Sequence, residues 1–300
     1  MKKRIFLLAA LLFLFSGCTE ESPKIETGWS YAPQGVYYLD GDGVPVTGWQ
    51  TVDGSRRYFQ PDRGGAMAVG WLELPRGRYC FDSNGVPRTG WAEIDGQRYY
   101  FHPDGVMAVG TVDIGGVLHH FTSSGQPFLL VNREYPLPEG FQPELVEVEG
   151  FLVAEACAEE LVDMMMACRG AAHRCVINTA YRDVDFQKML WENRYNSYIA
   201  QGYSPEEAAD LSARIVLPPG SSEHHTGLAV DITGTEEMYD WLERNAPRYG
   251  FILRYPADKQ QWTGVSYEPW HFRYVGRALA MELQELKLTP EEYLYRLTGA

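Results

Sequence analysis

The chain has 300 residues, of which 45% are apolar, and it carries a formal net charge of −14. This length accommodates about two ordinary domains, and the apolar content excludes a chain that is disordered throughout. The negative charge argues against nucleic acid or an anionic surface as the partner.

The N-terminal segment has the pattern of an export signal. Basic residues at positions 2–4 precede eleven consecutive apolar residues, from Ile5 to Phe15, a run that suits a signal peptide and is too short to cross a bilayer comfortably. The run leads into Ser16-Gly17-Cys18, which resembles the lipobox of bacterial lipoproteins, although Phe15 stands where that motif usually has a smaller aliphatic residue. The resemblance implies a signal peptide over residues 1–17, a lipid on Cys18 and a location at the outer face of the cell membrane, and plain secretion is the alternative.

After a linker at 18–27, the chain repeats itself over residues 28–128. The units open at Gly28-Trp29, Gly48-Trp49, Gly70-Trp71, Gly90-Trp91 and Gly110-Thr111, with spacings of 20, 22, 20 and 20 residues. Each unit contains a run of aromatic residues or histidines followed by a glycine-rich turn, a pattern that predicts β-hairpins. A period near 20 predicts a stacked solenoid, because a single hairpin cannot bury its own apolar face.

These units resemble the cell-wall-binding repeats of choline-binding proteins and of glucosylating toxins. The resemblance implies binding to a wall polymer or glycan through Trp49, Trp71, Trp91 and Tyr99. Where choline binders often carry a tryptophan before two tyrosines, this chain has Val36, Arg57, Arg78 and Arg98. The predicted ligand is therefore choline, a carbohydrate or a teichoic polymer, and the alternative for each aromatic residue is a purely structural role.

The second region, residues 129–300, mixes helical and strand patterns. Helices are predicted near 154–167, 185–201 and 236–248, with capped starts at Ser204 and Thr289. Strands are predicted near 175–180, 228–233 and 250–254, without a regular alternation with helices, so the fold class is α+β. Cys168 and Cys175 flank a short turn, and they form either a disulfide or two free buried thiols.

Two stretches carry candidate chemistry. In Ser221–Asp231, alternation places Leu228, Val230 and Ile232 on one face of a strand and Asp231 on the other, while the Thr226-Gly227 turn brings a preceding histidine back over Asp231. One nitrogen and one oxygen ligand are half of a tetrahedral zinc site. The second stretch, Tyr267–His271, adds a histidine preceded at three positions by an acid, which fits a general base. No lysine has a serine three positions before it, so the Ser-x-x-Lys pattern of serine-type penicillin-binding enzymes is absent.

The two stretches resemble the motifs of VanY-type D-alanyl-D-alanine carboxypeptidases. Ser222-x-His224-x-x-Gly227-x-Ala229-x-Asp231 is similar to S-x-H-x-x-G-x-A-x-D, and residues 268–273 are similar to E-P-W-H-x-R. The resemblance implies a zinc enzyme with a Hedgehog/D,D-peptidase fold. It makes His224, Asp231 and His271 the Zn²⁺ ligands and Glu268 the catalytic base, and it leaves His225 in a variable position.

A third segment, Tyr181-Arg182 with Gln187, resembles the family's S-x-Y-R segment, with Thr179 in place of serine. It implies that Arg182 holds the terminal carboxylate of the substrate, and that Gln187 and Ser222 bind the peptide. The alternative for Arg182 is a surface ion pair with Asp183 or Asp185.

The predicted function is therefore removal of the terminal D-alanine from peptidoglycan stem peptides by an enzyme held at the cell wall. Three alternatives stay open. Two share the zinc site: an L,D-carboxypeptidase acting on tetrapeptides and a dipeptidase acting on free D-Ala-D-Ala. The third, from a different class, is a wall-binding module with an inactive peptidase domain.

Overall fold

The structure is a computed structural model that describes residues 27–138 and 140–298. These residues belong to two compact units, the first ending at Arg88 and the second beginning at Thr89. The predicted signal peptide, most of the linker and the lipidation site at Cys18 lie outside the described residues. Within the described ranges, no helix is long and apolar enough to cross a membrane.

The first unit consists of antiparallel hairpins. Its strands are β1 (Gly28–Ala32), β2 (Gly35–Leu39), β3 (Gly48–Val52), β4 (Ser55–Gln60), β5 (Ala66–Met67), β6 (Gly70–Leu74) and β7 (Gly77–Phe81). The tight turn between β3 and β4 is Asp53-Gly54, where both residues have positive φ, 50° and 73°, as an Asp-Gly hairpin turn requires. The glycine-rich turns noted in the sequence instead connect one hairpin to the next.

The second unit begins with two further hairpins of the same kind. Their strands are β8 (Gly90–Ile94), β9 (Gln97–Phe101), β10 (Gly110–Ile114), β11 (Val117–Phe121) and the short β12 (Pro127–Phe128), which pairs with β11. The prediction of repeated β-hairpins is confirmed. The predicted domain boundary at residue 128 stays a prediction, since these two hairpins belong to the same compact unit as the residues that follow.

The rest of the second unit mixes helices and strands, and the predicted α+β class is confirmed. The strands are β13 (Leu145–Val148), β14 (Phe151–Ala154), β15 (Val176–Thr179), β16 (Ala229–Thr233), β17 (Phe251–Leu253) and β18 (His271–Tyr274). The helices are α1 (Glu155–Gly170), α2 (Val184–Ala200), α3 (Pro205–Ala213), α4 (Glu236–Asn245), α5 (Gln260–Thr263), α6 (Arg277–Leu286) and α7 (Pro290–Thr298).

An antiparallel sheet with the strand order β15-β16-β18-β17 forms the centre of this region. On β16, Val230 and Ile232 are fully buried and pack in the same core as Leu161 and Met165 of α1. The predicted alternation along β16 is confirmed, and it leaves Asp231 on the face opposite the core side chains.

The cysteines of this region are buried thiols. Of the two alternatives for Cys168, near the end of α1, and Cys175, just before β15, the structure has the free buried thiols; they and Cys157 lie within the main core. Burial raises the pKa of Cys157 and Cys168 to about 12, so these thiols stay protonated and act as small apolar core residues.

Candidate functional site

Two neighbouring strands bring the predicted ligands together. Asp231 on β16 pairs in register with His271 at the start of β18, so their side chains lie side by side on one face of the sheet. His224 lies in a 3-10 turn, Glu223–Thr226, which ends at Gly227 with φ of 68°. A Cβ on Gly227 would lie 2.7 Å from the backbone nitrogen of Ala154, so only glycine permits this close turn from His224 into the strand.

The three side chains form a buried cluster. Asp231 Oδ1 lies 3.4 Å from His224 Nε2 and 3.1 Å from His271 Nδ1, and one ligand atom from each residue falls within 4.8 Å of the others. His224 Nδ1 lies 2.7 Å from the carbonyl oxygen of Ala180. Donation of a proton to that carbonyl leaves Nε2 as the free lone pair, the arrangement usual for a metal-binding histidine.

The residues fit a divalent metal ion. Asp231 Oδ1 is buried and has no hydrogen-bond partner, although it lies between two imidazole nitrogens. A buried carboxylate oxygen without a partner is costly, and a cation between these atoms would satisfy it. Two histidine nitrogens and one carboxylate oxygen, with a further position left open, are a ligand set typical of catalytic zinc.

Burial and neighbouring charges shift the pKa values of both histidines and of Asp231. Burial lowers the pKa of His224 to about 4, so this imidazole is neutral at pH 7. Burial alone would also lower the pKa of His271, but Asp231 and Glu223 beside its ring raise it to about 9. Burial would raise the pKa of Asp231, yet the two histidines hold it well below its usual range. The metal-free cluster thus retains an ionised carboxylate ready to bind a cation.

Glu268 lies beside the cluster without belonging to it. Its Oε2 is 3.5 Å from His271 Nδ1, and it is 9% exposed. Burial is the main reason that its pKa is raised to about 7; Asp231 adds to the shift, while His271 and Arg182 oppose it. A carboxylate with a pKa near neutrality can both accept and return a proton.

Arg182 also contacts the cluster. Its NH2 group donates to Asp231 Oδ2 at 2.7 Å, whereas its contacts with Gln187 Oε1 and Thr179 Oγ1 are long, at 3.4 Å each. The ion pair of Arg182 is therefore a buried one with Asp231, and not a surface pair with Asp183, whose carboxylate instead caps α2.

All seven predicted catalytic, metal and substrate-binding residues line one small cavity of about 180 Å³. They are Arg182, Gln187, Ser222, His224, Asp231, Glu268 and His271. His225 does not line it; its Nδ1 lies 2.7 Å from the carbonyl oxygen of Arg182 and so supports the backbone at that residue.

The cavity residues belong to a region with clear relatives. A family model described as D-alanyl-D-alanine carboxypeptidase, VanY, matches residues 151–277. The chain is 38% identical to a D-alanyl-D-alanine carboxypeptidase of Enterococcus faecalis, over 55% of this chain and 65% of the relative. It is 32% identical to the bifunctional D-Ala-D-Ala dipeptidase and carboxypeptidase VanXYC of Enterococcus gallinarum, over 55% of this chain and 91% of the relative. The chain belongs to the VanY family.

Solved structures agree with this assignment to the VanY family. VanYB in complex with D-alanine-D-alanine is 38% identical, with a TM-score of 0.53, covering 55% of this chain and 96% of that one. A variant of the D,D-pentapeptidase VanY from the VanB-type resistance cassette, in complex with Zn(II), is also 38% identical, with a TM-score of 0.52 and coverage of 55% and 97%. The predicted Hedgehog/D,D-peptidase-type fold is confirmed.

The repeats have a separate match. A choline-binding repeat model matches residues 88–128, which confirms the predicted kind of repeat. The VanY-like match and the repeats occupy different stretches of the chain, and the chain spans about two thirds of the length of the E. faecalis relative.

The tryptophan rings predicted to bind a wall ligand are covered by arginines of their own hairpins. The guanidinium carbon lies 3.8 Å from the ring centroid for Arg56 over Trp49, and 4.3 Å for Arg78 over Trp71. In the second unit, Arg98 lies 4.1 Å over Trp91. These are cation–π contacts, so a cationic ligand on the same ring face must displace an arginine.

Other contacts of these aromatic residues join one hairpin to the next. Trp49 packs against Tyr58, Tyr79 and Phe81, with ring centroids 5.2 to 5.7 Å apart. Tyr99 is 9% exposed, and its hydroxyl accepts a hydrogen bond from Gln126. Wall-ligand binding by these residues stays a prediction.

Several residues of the VanY-like cavity were not identified from the sequence. Its apolar lining includes Leu217, Tyr255 and Val265, which pack together and are nearly fully buried. Glu223, which contacts His271 and does not line the cavity, was also missed, although it lies between the motif residues Ser222 and His224. Its position directly before a predicted ligand histidine was the one available signal for it.

Proposed function

We propose that this protein is a zinc-dependent D-alanyl-D-alanine carboxypeptidase that acts on peptidoglycan stem peptides. The observation that carries the proposal is the cavity in which His224, Asp231 and His271 converge beside Glu268 and Arg182. The VanY-family relatives, described as carboxypeptidases of D-alanyl-D-alanine, support the same reaction.

His224 Nε2, Asp231 Oδ1 and His271 Nδ1 would hold the metal. When bound, zinc supplies Lewis-acid chemistry: it polarises a carbonyl group and makes a water molecule more acidic. Glu268 takes the proton from the attacking water as the water oxygen bonds to the scissile carbonyl carbon. The C–N bond then breaks, and Glu268 returns the proton to the amine of the departing D-alanine.

Arg182 would select for a free carboxyl terminus. Its Nε and NH1 groups make only the long contacts to Thr179 and Gln187, and its NH2 group has a second hydrogen besides the one that it donates to Asp231, so the guanidinium has further donors for a substrate carboxylate. A guanidinium matches a carboxylate with two parallel hydrogen bonds. Binding of the terminal carboxylate restricts cleavage to the last peptide bond, which distinguishes a carboxypeptidase from an endopeptidase. Ser222 and Gln187 would bind the peptide beside it.

The remainder of the chain would keep the enzyme at its substrate. We propose that the repeats bind a wall polymer or glycan, and that Cys18 carries a lipid that tethers the protein to the outer face of the membrane. The match of residues 88–128 to choline-binding repeats supports wall binding.

The test is release of D-alanine from a muramyl pentapeptide by the purified protein, with and without a chelator. The Glu268→Gln variant should lose about 10²- to 10⁴-fold in kcat, the usual contribution of a general base. Glu192→Gln is the matched control, because this glutamate lies exposed on α2 and makes only a long contact to Lys188.

Two outcomes would change the assignment. Release from a tetrapeptide and not from a pentapeptide would indicate L,D-carboxypeptidase activity with the same residues. Inactivity on both peptides and on free D-Ala-D-Ala, with zinc bound, would leave wall binding as the main function.

A further inference from the structure

Behind the metal cluster, two buried polar atoms face each other without a hydrogen bond. His271 Nε2 and Glu223 Oε2 lie 3.8 Å apart, both are buried, and neither has a hydrogen-bond partner. His271 Nδ1 points the opposite way, towards Asp231 Oδ1. An imidazole that binds a metal through Nδ1 carries its proton on Nε2, and that proton requires an acceptor when it is buried.

Glu223 is held in place from its other side. Its Oε1 accepts a hydrogen bond from Arg254 Nε at 2.8 Å and lies 3.2 Å from Arg273 NH1. Both arginines are almost completely buried. Since both guanidinium groups contact Oε1, the second oxygen, Oε2, is left facing His271.

Glu223, Arg254 and Arg273 form an ion cluster with a fourth member, Glu291 of the last helix, which balances the charges. Glu291 of α7 contacts Arg254 through both carboxylate oxygens, one of them 3.0 Å from NH1. Two carboxylates thus lie beside two guanidinium groups, which is the condition under which buried charges are tolerated. Glu291 does not contact His271, so it can be changed separately from Glu223.

We propose that Glu223 is a positioning residue for the metal site: its Oε2 accepts the Nε2 proton of His271 and so directs Nδ1 towards the metal. This role rests on the proposed function, because it assumes that His271 is a metal ligand. Arg254 and Arg273 fix the direction of the carboxylate, and a small rotation of the imidazole would bring Nε2 from 3.8 Å to hydrogen-bond distance of Oε2. The arrangement is a carboxylate–histidine–metal triad.

Glu223→Gln in the full chain is the sharpest test. The amide oxygen must stay with the two arginines, which offer only donors, so the amide NH₂ faces the Nε2 proton of His271. Zinc affinity, measured by competition with a chromogenic chelator, should fall about 10- to 100-fold, the usual cost of losing such a partner.

Glu291→Gln is the matched control. It removes one charge from the same ion cluster and should lower the melting temperature, yet it leaves the contact between Glu223 and His271 untouched. Zinc affinity should therefore match the parent protein. A Glu223→Gln variant that binds zinc as tightly as the parent, or an equal loss in both variants, would overturn the proposal.

A second measurement does not depend on either variant. The ¹⁵N chemical shifts of the His271 imidazole in the zinc-loaded parent protein report which nitrogen binds the metal. A protonated Nε2 and a metal-bound Nδ1 support the proposal, and ligation through Nε2 overturns it. Because the parent protein is measured, this result holds even if Glu223→Gln fails to fold. Failure of the parent itself to bind zinc would refute the zinc site of the proposed function and this proposal with it. Loss of catalysis with the affinities as expected would refute only the proposed reaction.

Discussion

The cavity lined by Asp231 and His271 and the aromatic hairpins differ in whether their polar or aromatic groups already have partners. In the cavity, Asp231 Oδ1 is buried without a hydrogen-bond partner. In the hairpins, Trp49 and Trp91 have arginine groups over their rings and further aromatic rings at their edges. A buried group without a partner indicates a missing ligand, whereas a ring that is already covered indicates a structural contact or a ligand that must compete for it.

The first prediction concerns Arg182, which pairs with Asp231 and is proposed to bind the terminal carboxylate of the substrate. Arg182→Lys should lower kcat/KM for the pentapeptide about 10- to 100-fold, because a lysine cannot form the two parallel hydrogen bonds that a guanidinium makes. The measurement is steady-state kinetics on zinc-loaded protein. An unchanged kcat/KM would show that Arg182 serves only its ion pair with Asp231.

The second prediction concerns the turn that carries His224. Gly227→Ala should lower the free energy of unfolding by about 1–3 kcal/mol, because φ is positive there and the new Cβ would meet the backbone of Ala154. Gly220→Ala is the control, since its φ is also positive but no atom lies within 4 Å of the added Cβ. Denaturant unfolding measures both, and equal losses would mean that the contact with Ala154 does not matter.

The third prediction is a pH dependence. Glu268 must be deprotonated to act as a base, so kcat/KM should fall as the pH drops through its pKa, about tenfold per unit below it. That pKa is raised to about 7 in the metal-free protein, and the charge of a bound metal ion lowers it, so the acidic limb should have its midpoint below 7. A rate that stays constant down to pH 4.5 would contradict the assignment of Glu268.

The smallest predicted effect lies in the repeats. Choline should not raise the melting temperature of the protein, because Arg98 already covers Trp91 and a second cation cannot use the same face. Thermal unfolding in choline chloride is compared with unfolding in sodium chloride of equal ionic strength. A rise in melting temperature that is specific to choline would show that the ligand displaces the arginines from the rings. The hairpins, like the cavity, would then have a binding site for a ligand.

The sequence was sufficient to predict that His224, Asp231 and His271 lie together, because His224 and Asp231 belong to one short motif and His271 to another. It was also sufficient for the hairpin repeats, whose strands pair with their neighbours along the chain. It did not predict that Arg182 pairs with Asp231, 49 residues away, since a charged residue gives no sign of whether its partner is a neighbour or a distant residue.

The contact of Arg98 with Trp91 was missed for a different reason. In the register of β8 and β9, Trp91 faces Tyr100 and Glu93 faces Arg98, so Arg98 is a diagonal neighbour of Trp91. That register follows from the two-residue turn at Asp95-Gly96, where both φ angles are positive. The glycine-rich turns noted in the sequence proved to connect one hairpin to the next, and the turns within the hairpins, such as Asp95-Gly96, were not identified.

The ion cluster behind His271 has a practical consequence for the design of shorter expression fragments. The family match ends at residue 277 and begins at residue 151, yet Arg273 donates to the carbonyl oxygen of Leu129 and Arg254 pairs with Glu291. A fragment cut to the family limits would keep both guanidinium groups inside the fold while removing groups that neutralise or bind them. The smallest soluble fragment should therefore extend at least from Leu129 through α7, well beyond the stretch by which the family is defined.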